Sequence, residues 1–325
     1  MRAFVVKEVE GSLHLGVEQR EVKSTADTDL LITVEYSGVN FKDALVASIG
    51  GRVRRVPELV GGVDAAGVIT SSTNDEWPVG TRVAVHGGDL GVARDGGFAQ
   101  SVYVPAKFLS ALPDSVSTRD AMIIGTAGFT AMASVLALEH HGLEPTGEVL
   151  VTGATGGVGS HAITFLSARG YLAVASTGSP AQSQWLTQRG AVRIIGRDEI
   201  ADKPDRVLAS ERWSGAVDCV GGETLHHILR SLRYGAAVAA SGLVASPELH
   251  TNVYPFITRA VSLLGIDAVE ARDHTRRAVW QAIGEMAKTI DFEPLVDHVV
   301  RLEELPEALE KIRNAQTRGR ILVQP

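Results

Sequence analysis

The middle of the chain alternates short apolar runs with amphipathic stretches. Val149-Leu150-Val151 is an uninterrupted, β-branched apolar run of the kind that forms a strand buried on both faces. It leads straight into Gly153-Ala154-Thr155-Gly156-Gly157-Val158-Gly159, and a helical pattern follows over residues 160–169. Similar strand-like runs stand at 171–176, 192–195, 216–220, 236–241 and 262–267, with helical patterns at 223–233 and 272–288. Short apolar strands alternating with helices predict a doubly wound parallel sheet, an architecture that holds ligands at the carboxyl ends of its strands.

The N-terminal third has another texture. Short β-like runs at 30–36, 66–70, 81–85 and 98–104 are broken by Gly61-Gly62, Gly87-Gly88 and Gly96-Gly97, which predicts a compact, irregular β domain. After Asp291 the chain turns β-like over 295–300, helical over 303–313, and ends on Arg320-Ile321-Leu322-Val323. The expected organisation is therefore an α/β protein of two domains. Residues 1–122 and 290–325 form the β domain, and residues 123–289 the dinucleotide-binding domain. Residues 121–138 are uncharged, but they include Gly125, Gly128, Thr126, Thr130 and Ser134 between Asp120 and Glu139. They read as a buried interdomain helix and not as a membrane span.

Charge and cysteine content narrow the function classes. A net charge of −7 argues against nucleic acid or an anionic membrane as a partner. The opening Met-Arg-Ala-Phe-Val-Val-Lys-Glu carries charges where a secretion signal needs an apolar core, so the expected compartment is cytoplasmic. Cys219 is the only cysteine, which excludes an intrachain disulfide and a multi-cysteine zinc site. It falls inside a strand-like run and reads as a small buried hydrophobe.

The glycine cluster carries the first chemistry. A strand, a glycine turn and a helix make a phosphate-binding corner, because a Cβ there would keep a pyrophosphate from the amides of the helix start. The next strand tests that reading. A site selective for NAD wants a carboxylate near the end of this strand, but the chain reads Thr177-Gly178-Ser179-Pro180, with no acid before Asp198. Hydroxyls with Arg197 nearby suit a 2′-phosphate, so NADP(H) is the expected cofactor.

Several motifs carry a resemblance to the medium-chain dehydrogenase/reductase superfamily, with its GroES-like and Rossmann domains. Asn40-Phe41-Lys42-Asp43, Gly62-Val63-Asp64-Ala65-Ala66-Gly67, Gly96-Gly97-Phe98-Ala99 and the glycine corner resemble its zinc-free, quinone-oxidoreductase-like part. Residues 121–132, Asp218-Cys219-Val220-Gly221-Gly222 and Pro255-Phe256-Ile257-Thr258-Arg259 are similar to signatures of the NADPH-dependent acryloyl-CoA reductase branch. The resemblance runs nearly end to end.

That resemblance implies cofactor phosphates on Thr155, Gly156, Gly157 and Val158, and a 2′-phosphate at Thr177, Gly178, Ser179 and Arg197. It implies Leu243 and Ile257 along the nicotinamide half, with Phe41, Thr130 and Arg320 as further cofactor residues. Asn40 and Thr126 take orienting roles near the nicotinamide. The family commonly has Tyr in place of Phe41 and Arg in place of Ser179. The first difference removes a hydroxyl as proton donor, and the second leaves Arg197 as the main cation on the phosphate. Val63-Asp64 stands where the zinc enzymes have His-Glu, and His86, His140, His141, His226 and His227 show no three-ligand spacing, so no metal is expected. A homodimer is the assembly the family implies.

The substrate is approached from the loop Gly50-Gly51-Arg52-Val53-Arg54-Arg55-Val56. Its three arginines, Arg52, Arg54 and Arg55, could grip the phosphates of a CoA tail through charge-assisted hydrogen bonds, or form a solvated basic patch. Asp43 could donate a proton, or serve as a helix-start carboxylate bonded to backbone amides. The expected function is NADPH-dependent reduction of the C=C bond of a small α,β-unsaturated acyl-CoA, acryloyl-CoA to propanoyl-CoA. A quinone or enone reductase acting without CoA is the competing enzyme reading. A non-enzymatic nucleotide- or RNA-binding relative is the other, since fold alone does not choose.

Overall fold

The computed structural model describes residues 1–24, 29–50, 53–200 and 207–325. In chain order the strands are β1 (Arg2–Val9), β2 (Ser12–Gln19), β3 (Asp29–Val39), β4 (Glu58–Val60), β5 (Asp64–Ser71), β6 (Arg82–His86), β7 (Ser101–Pro105) and β8 (Leu109–Ala111). They continue as β9 (Glu148–Val151), β10 (Leu172–Thr177), β11 (Arg193–Gly196), β12 (Gly215–Asp218), β13 (Ala237–Ala240), β14 (Ser262–Gly265), β15 (Val296–Val300) and β16 (Arg320–Val323). The α-helices are α1 (Phe41–Val46), α2 (Thr118–His140), α3 (Gly157–Ala168), α4 (Ser183–Gln188), α5 (Gly222–Ser231), α6 (Tyr254–Arg259), α7 (Asp273–Met286) and α8 (Leu305–Arg313).

Two compact units divide the chain, Met1–Phe129 with Ala268–Pro325, and Thr130–Asp267. Residues 123–129 and 268–289, which sequence assigns to the dinucleotide-binding domain, thus fall in the first unit. The apolar pattern of α7 explains the difference. Its Trp280 packs on His86 of β6, and Gly284 lies against Pro113, both first-unit residues.

In the first unit β1 pairs with β2 and β4, and a larger sheet runs β15-β16-β3-β5-β6-β8 with β7 also on β3. Alternation builds this sheet. Leu30, Ile32 and Val34 of β3 are buried, while Thr33 and Glu35 on the alternate positions are exposed. The β1–β2 hairpin turns on Glu10 and Gly11, both at positive φ, the geometry a two-residue hairpin turn requires.

In the second unit six parallel strands take the order β11-β10-β9-β12-β13-β14, the doubly wound order expected. Val149, Leu150 and Val151 are fully buried, as a central parallel strand requires. α3 starts earlier than its periodicity suggests, because Gly157 and Gly159 belong to its first turn and Gly156 caps it in extended conformation. The apolar stretch of α2 is long enough to cross a membrane by composition, and 83% of it is buried inside the protein. This helix is not continuous, since Gly125 breaks it with φ of 48°.

Candidate functional sites in the two units

The phosphate corner of the second unit is built by backbone. Gly153, just past β9, has φ of 58° and its carbonyl accepts the Gly156 amide at 2.9 Å. A Cβ on Gly159 would strike the Gly153 carbonyl and sit 2.8 Å from Cα of Ala154, so this glycine lets the helix close on the strand. Gly156 differs. A Cβ there would meet only the Gly153 carbonyl oxygen at 3.3 Å, and the residue is exposed. The first amides of a helix have no partner inside it, so Gly156, Gly157 and Val158 open a cradle that suits a pyrophosphate.

Beside it, the end of β10 gathers the residues expected to meet a 2′-phosphate. The Thr177 hydroxyl accepts the Ser179 amide at 3.0 Å. Gly178 is exposed and lies under the Arg197 guanidinium, where a Cβ would come within 2.5 Å of its Cζ. Leu243 and Ile257 are 59% and 73% exposed on the segments after β13 and in α6. Thr130 is buried in α2, where its carbonyl accepts the Ser134 hydroxyl at 2.8 Å.

The first unit holds a buried polar cluster in which Asn40 and Thr126 meet two residues whose pairing sequence does not reveal. Asp64, fully buried at the start of β5, accepts Asn40 Nδ2 at 2.8 Å, the Thr126 amide at 3.0 Å and the Thr126 hydroxyl. Arg320 of β16 donates from Nη2 to Asp64 Oδ2 at 3.1 Å and from Nη1 to Asn40 Oδ1 at 2.9 Å. Its other donors reach the carbonyls of Val39, Ile123 and Met122. This corrects the expectation for Arg320. Its guanidinium is buried and every donor is engaged, so none is left for a cofactor. Gly125 explains the break in α2, since a Cβ there would lie 2.5 Å from both Arg320 Nη2 and Asp64 Oδ2. The signal that could have found the pair is a charged residue at the mouth of each apolar strand, Asp64-Ala65-Ala66 and Arg320-Ile321-Leu322-Val323.

Asp43 sits in the first turn of α1, accepting the Asn40 amide at 2.7 Å and the Val63 amide at 2.9 Å. It is the helix-start carboxylate weighed from sequence. Burial raises its pKa to about 7, with backbone hydrogen bonds opposing and Asp64 adding to the rise. Buried His86 moves the other way, pushed down to about 4 by burial and by Arg276. Phe41 opens α1 half-buried.

These two groups give opposed pH dependences. Asp43 keeps a proton when folded up to about pH 7 and loses it near 3.8 when unfolded, so its stabilisation falls as pH rises across that window. His86 refuses until about pH 4 a proton that the unfolded chain takes near 6.5, so its stabilisation is lost as pH falls. Between about pH 4 and 6.5 the slopes oppose, each at most about 1.4 kcal/mol per pH unit. Asp43→Asn is expected to make stability climb with pH over that range, and His86→Phe to make it decline. Urea midpoints measured at several pH values would refute this if parent and variants run parallel.

The arginine loop is less free than its sequence suggests. The side chain of Arg54 is 5% exposed and ion-paired with Glu8. Its charge serves the fold, which corrects its place among residues free to hold CoA. Arg55 is 65% exposed and bonds Asp89 at 2.9 Å, and Arg52 lies outside the described residues. Among the described residues no group of three or more His, Cys, Asp or Glu side chains could hold a metal ion.

Two family models match the chain, the alcohol dehydrogenase GroES-like domain over residues 26–114 and the zinc-binding dehydrogenase over residues 195–323. YhfP of Bacillus subtilis, which carries the name of a quinone oxidoreductase, is 44% identical over 93% of this chain and 94% of its own. The acrylyl-CoA reductase AcuI of Ruegeria pomeroyi is 42% identical over 99% of this chain and 98% of its own. The solved yhdH oxidoreductase of Salmonella enterica, in complex with NADP, superposes with a TM-score of 0.94 over 100% of both chains at 37% identity. A solved YhfP structure, with NAD bound, also superposes at 0.94, over 100% of this chain and 99% of that one at 42% identity.

Proposed function

Since the chain belongs to the medium-chain dehydrogenase/reductase superfamily, in its quinone-oxidoreductase-like part, and is an NADP(H)-dependent oxidoreductase, we propose that it reduces the C=C bond of a small α,β-unsaturated acyl-CoA. The observation that carries the reading is the phosphate corner, whose open space at Gly156 fits the cofactor pyrophosphate. The thioester substrate is supported by end-to-end similarity to AcuI.

When bound, the reduced nicotinamide supplies a hydride, which the β-carbon of the alkene accepts. The protein's share is orientation, which for well-aligned partners is worth roughly 7–11 kcal/mol. Asn40 and Thr126 contribute as fixed groups. Both hydrogens of Asn40 Nδ2 are used, toward Asp64 and the Gly38 carbonyl, and its oxygen accepts from Arg320. The Thr126 hydroxyl gives its hydrogen to Asp64. No acid in this cluster reaches outward, because Asp43 is buried with both oxygens on amides. Solvent water can return the proton to the α-carbon.

NADPH oxidation measured side by side with acryloyl-CoA, crotonyl-CoA and 1,4-benzoquinone tests the reading. Brisk quinone turnover with no activity on either thioester would overturn the substrate. The quinone reading has its own support in YhfP, and in the loss of Arg54 as a free cation.

Two further outcomes are expected. NADPH should bind at least about tenfold tighter than NADH, near the low end of what a hydrogen bond to a charged group is worth, and Arg197→Ala should remove most of that preference. Equal affinities in the parent protein would refute it, an outcome the NAD-bound YhfP structure makes worth seeking. Replacing Arg52 and Arg55 together by Ala should raise KM for the CoA ester only about twofold to fivefold, since an ion pair at an exposed side chain such as that of Arg55 is worth roughly 0.2–1 kcal/mol. A short enone lacking CoA should be unaffected. An equal change on both substrates would mean a damaged loop.

A further inference from the structure

Asp218 is fully buried at the carboxyl end of β12, and among the described residues it is in no ion pair. Three donors hold its carboxylate. They are the Thr152 hydroxyl at 2.6 Å and the Val220 amide at 3.3 Å, both on Oδ1, and the Gly221 amide at 2.8 Å on Oδ2. Burial raises its pKa, and those hydrogen bonds oppose the rise. Thr152 in turn accepts the Cys219 amide at 3.0 Å, closing a ring between the ends of the neighbouring strands β9 and β12.

Each end of this ring leads to a different part of the nucleotide site. Thr152 precedes Gly153, where the phosphate turn begins, and a Cβ on Gly153 would lie 3.3 Å from Cβ of Cys219. On the other side the segment bearing Leu243 is pinned at both ends. The Ser241 amide donates to the Asp218 carbonyl at 3.0 Å, and the Ala245 amide to the Val220 carbonyl at 2.9 Å. Between them Gly242 lies directly on the Cys219 backbone, with no room for a Cβ. The Thr177–Arg197 cluster, at the end of β10, takes no part in the ring.

We propose that Asp218 is a positioning residue that locks the phosphate turn and the Leu243 segment into one register through Thr152 and the Gly221 amide, so that the pyrophosphate and nicotinamide ends of the cofactor are bound together. The proposal rests on reading the second unit as the NADP(H) site. A carboxylate meets the geometry because both of its oxygens can accept at once. An amide presents one acceptor and one donor, and so sets its NH2 against either the Val220 or the Gly221 amide.

The test compares two ligands on the whole protein by calorimetry. NADPH spans both ends, whereas adenosine 2′-phosphate carries the 2′-phosphate and lacks both the pyrophosphate and the nicotinamide. Asp218→Asn is expected to weaken NADPH about tenfold or more, while adenosine 2′-phosphate changes less than about twofold. Thr152→Val, close in shape, removes one link and leaves the carboxylate. It should weaken NADPH in the same selective way, and it decides the matter if the first variant does not fold. An equal fall for both ligands, which general loosening would give, overturns the proposal, as does unchanged NADPH affinity. If the parent protein binds neither ligand, the site reading itself fails and takes this inference with it.

Discussion

Arg320→Met is expected to destabilise the first unit by about 3–5 kcal/mol, the cost of leaving a buried carboxylate without its partner. The side chains of Arg320 and Asp64 are 2% and 0% exposed. Methionine fills much of the aliphatic space but supplies none of the hydrogen bonds to Asp64, Asn40 and the Val39, Ile123 and Met122 carbonyls. The desolvated Asp64 would then rely on Asn40 and Thr126 alone, with buried Asp43 adding repulsion whenever it ionises. Hydrogen exchange of the β3 and β16 amides under increasing urea measures the loss locally. Adding Asp64→Asn to the variant should recover part of the stability, because the unpaired charge is gone. A loss below about 1 kcal/mol, or no recovery in the double variant, would show that the pair carries little net weight.

The second large effect concerns binding with the fold intact. Gly156→Val should abolish measurable NADPH binding, because a branched side chain would occupy the cradle that the pyrophosphate must enter. The same space predicts tolerance by the fold. A Cβ at 156 approaches only one carbonyl oxygen, at 3.3 Å, and the backbone φ is an ordinary −76°. Gly159→Val is the contrasting control. Its side chain would collide with the turn itself, and the expected result is loss of structure and not only of affinity. Fluorescence titration with NADPH beside thermal melting separates the two. Normal binding by Gly156→Val would displace the phosphate site from this corner.

How much was legible in the sequence depended on where the information lay. The buried parallel strands β9, β10 and β12 were readable because most of their side chains are covered on both faces, leaving short apolar runs. The phosphate corner was readable because its chemistry is backbone chemistry, and glycine spacing records it directly. The β1–β2 hairpin was not read, since Leu13, Leu15 and Val17 are only partly buried and stand between polar residues in a strand exposed on one side. Helix α1 spans only Phe41–Val46, too short for a periodic pattern, and its fixing bonds include the Val63 amide from another element. The Asp64–Arg320 pair joins residues 256 positions apart, a separation at which no local pattern operates. The arginine loop shows the converse error. Three like charges within four residues suggested a CoA grip or a free basic patch, but Glu8, far off in sequence, had already claimed Arg54.

The threading of the two units has a consequence for synthesis. The second unit is one uninterrupted stretch, Thr130–Asp267, whereas the first is assembled from Met1–Phe129 and Ala268–Pro325. On the ribosome the parallel sheet can close while the N-terminal β-strands still wait for β16, the strand that pairs with β3 and delivers Arg320 to Asp64. Until then Asp64 has no counter-ion and the Ser37–Val39 end of one β3 edge stands open, a template for pairing with the wrong strand. The period of greatest exposure to misassembly for this protein is therefore the translation of the whole second unit, and it ends only when the closing strand emerges.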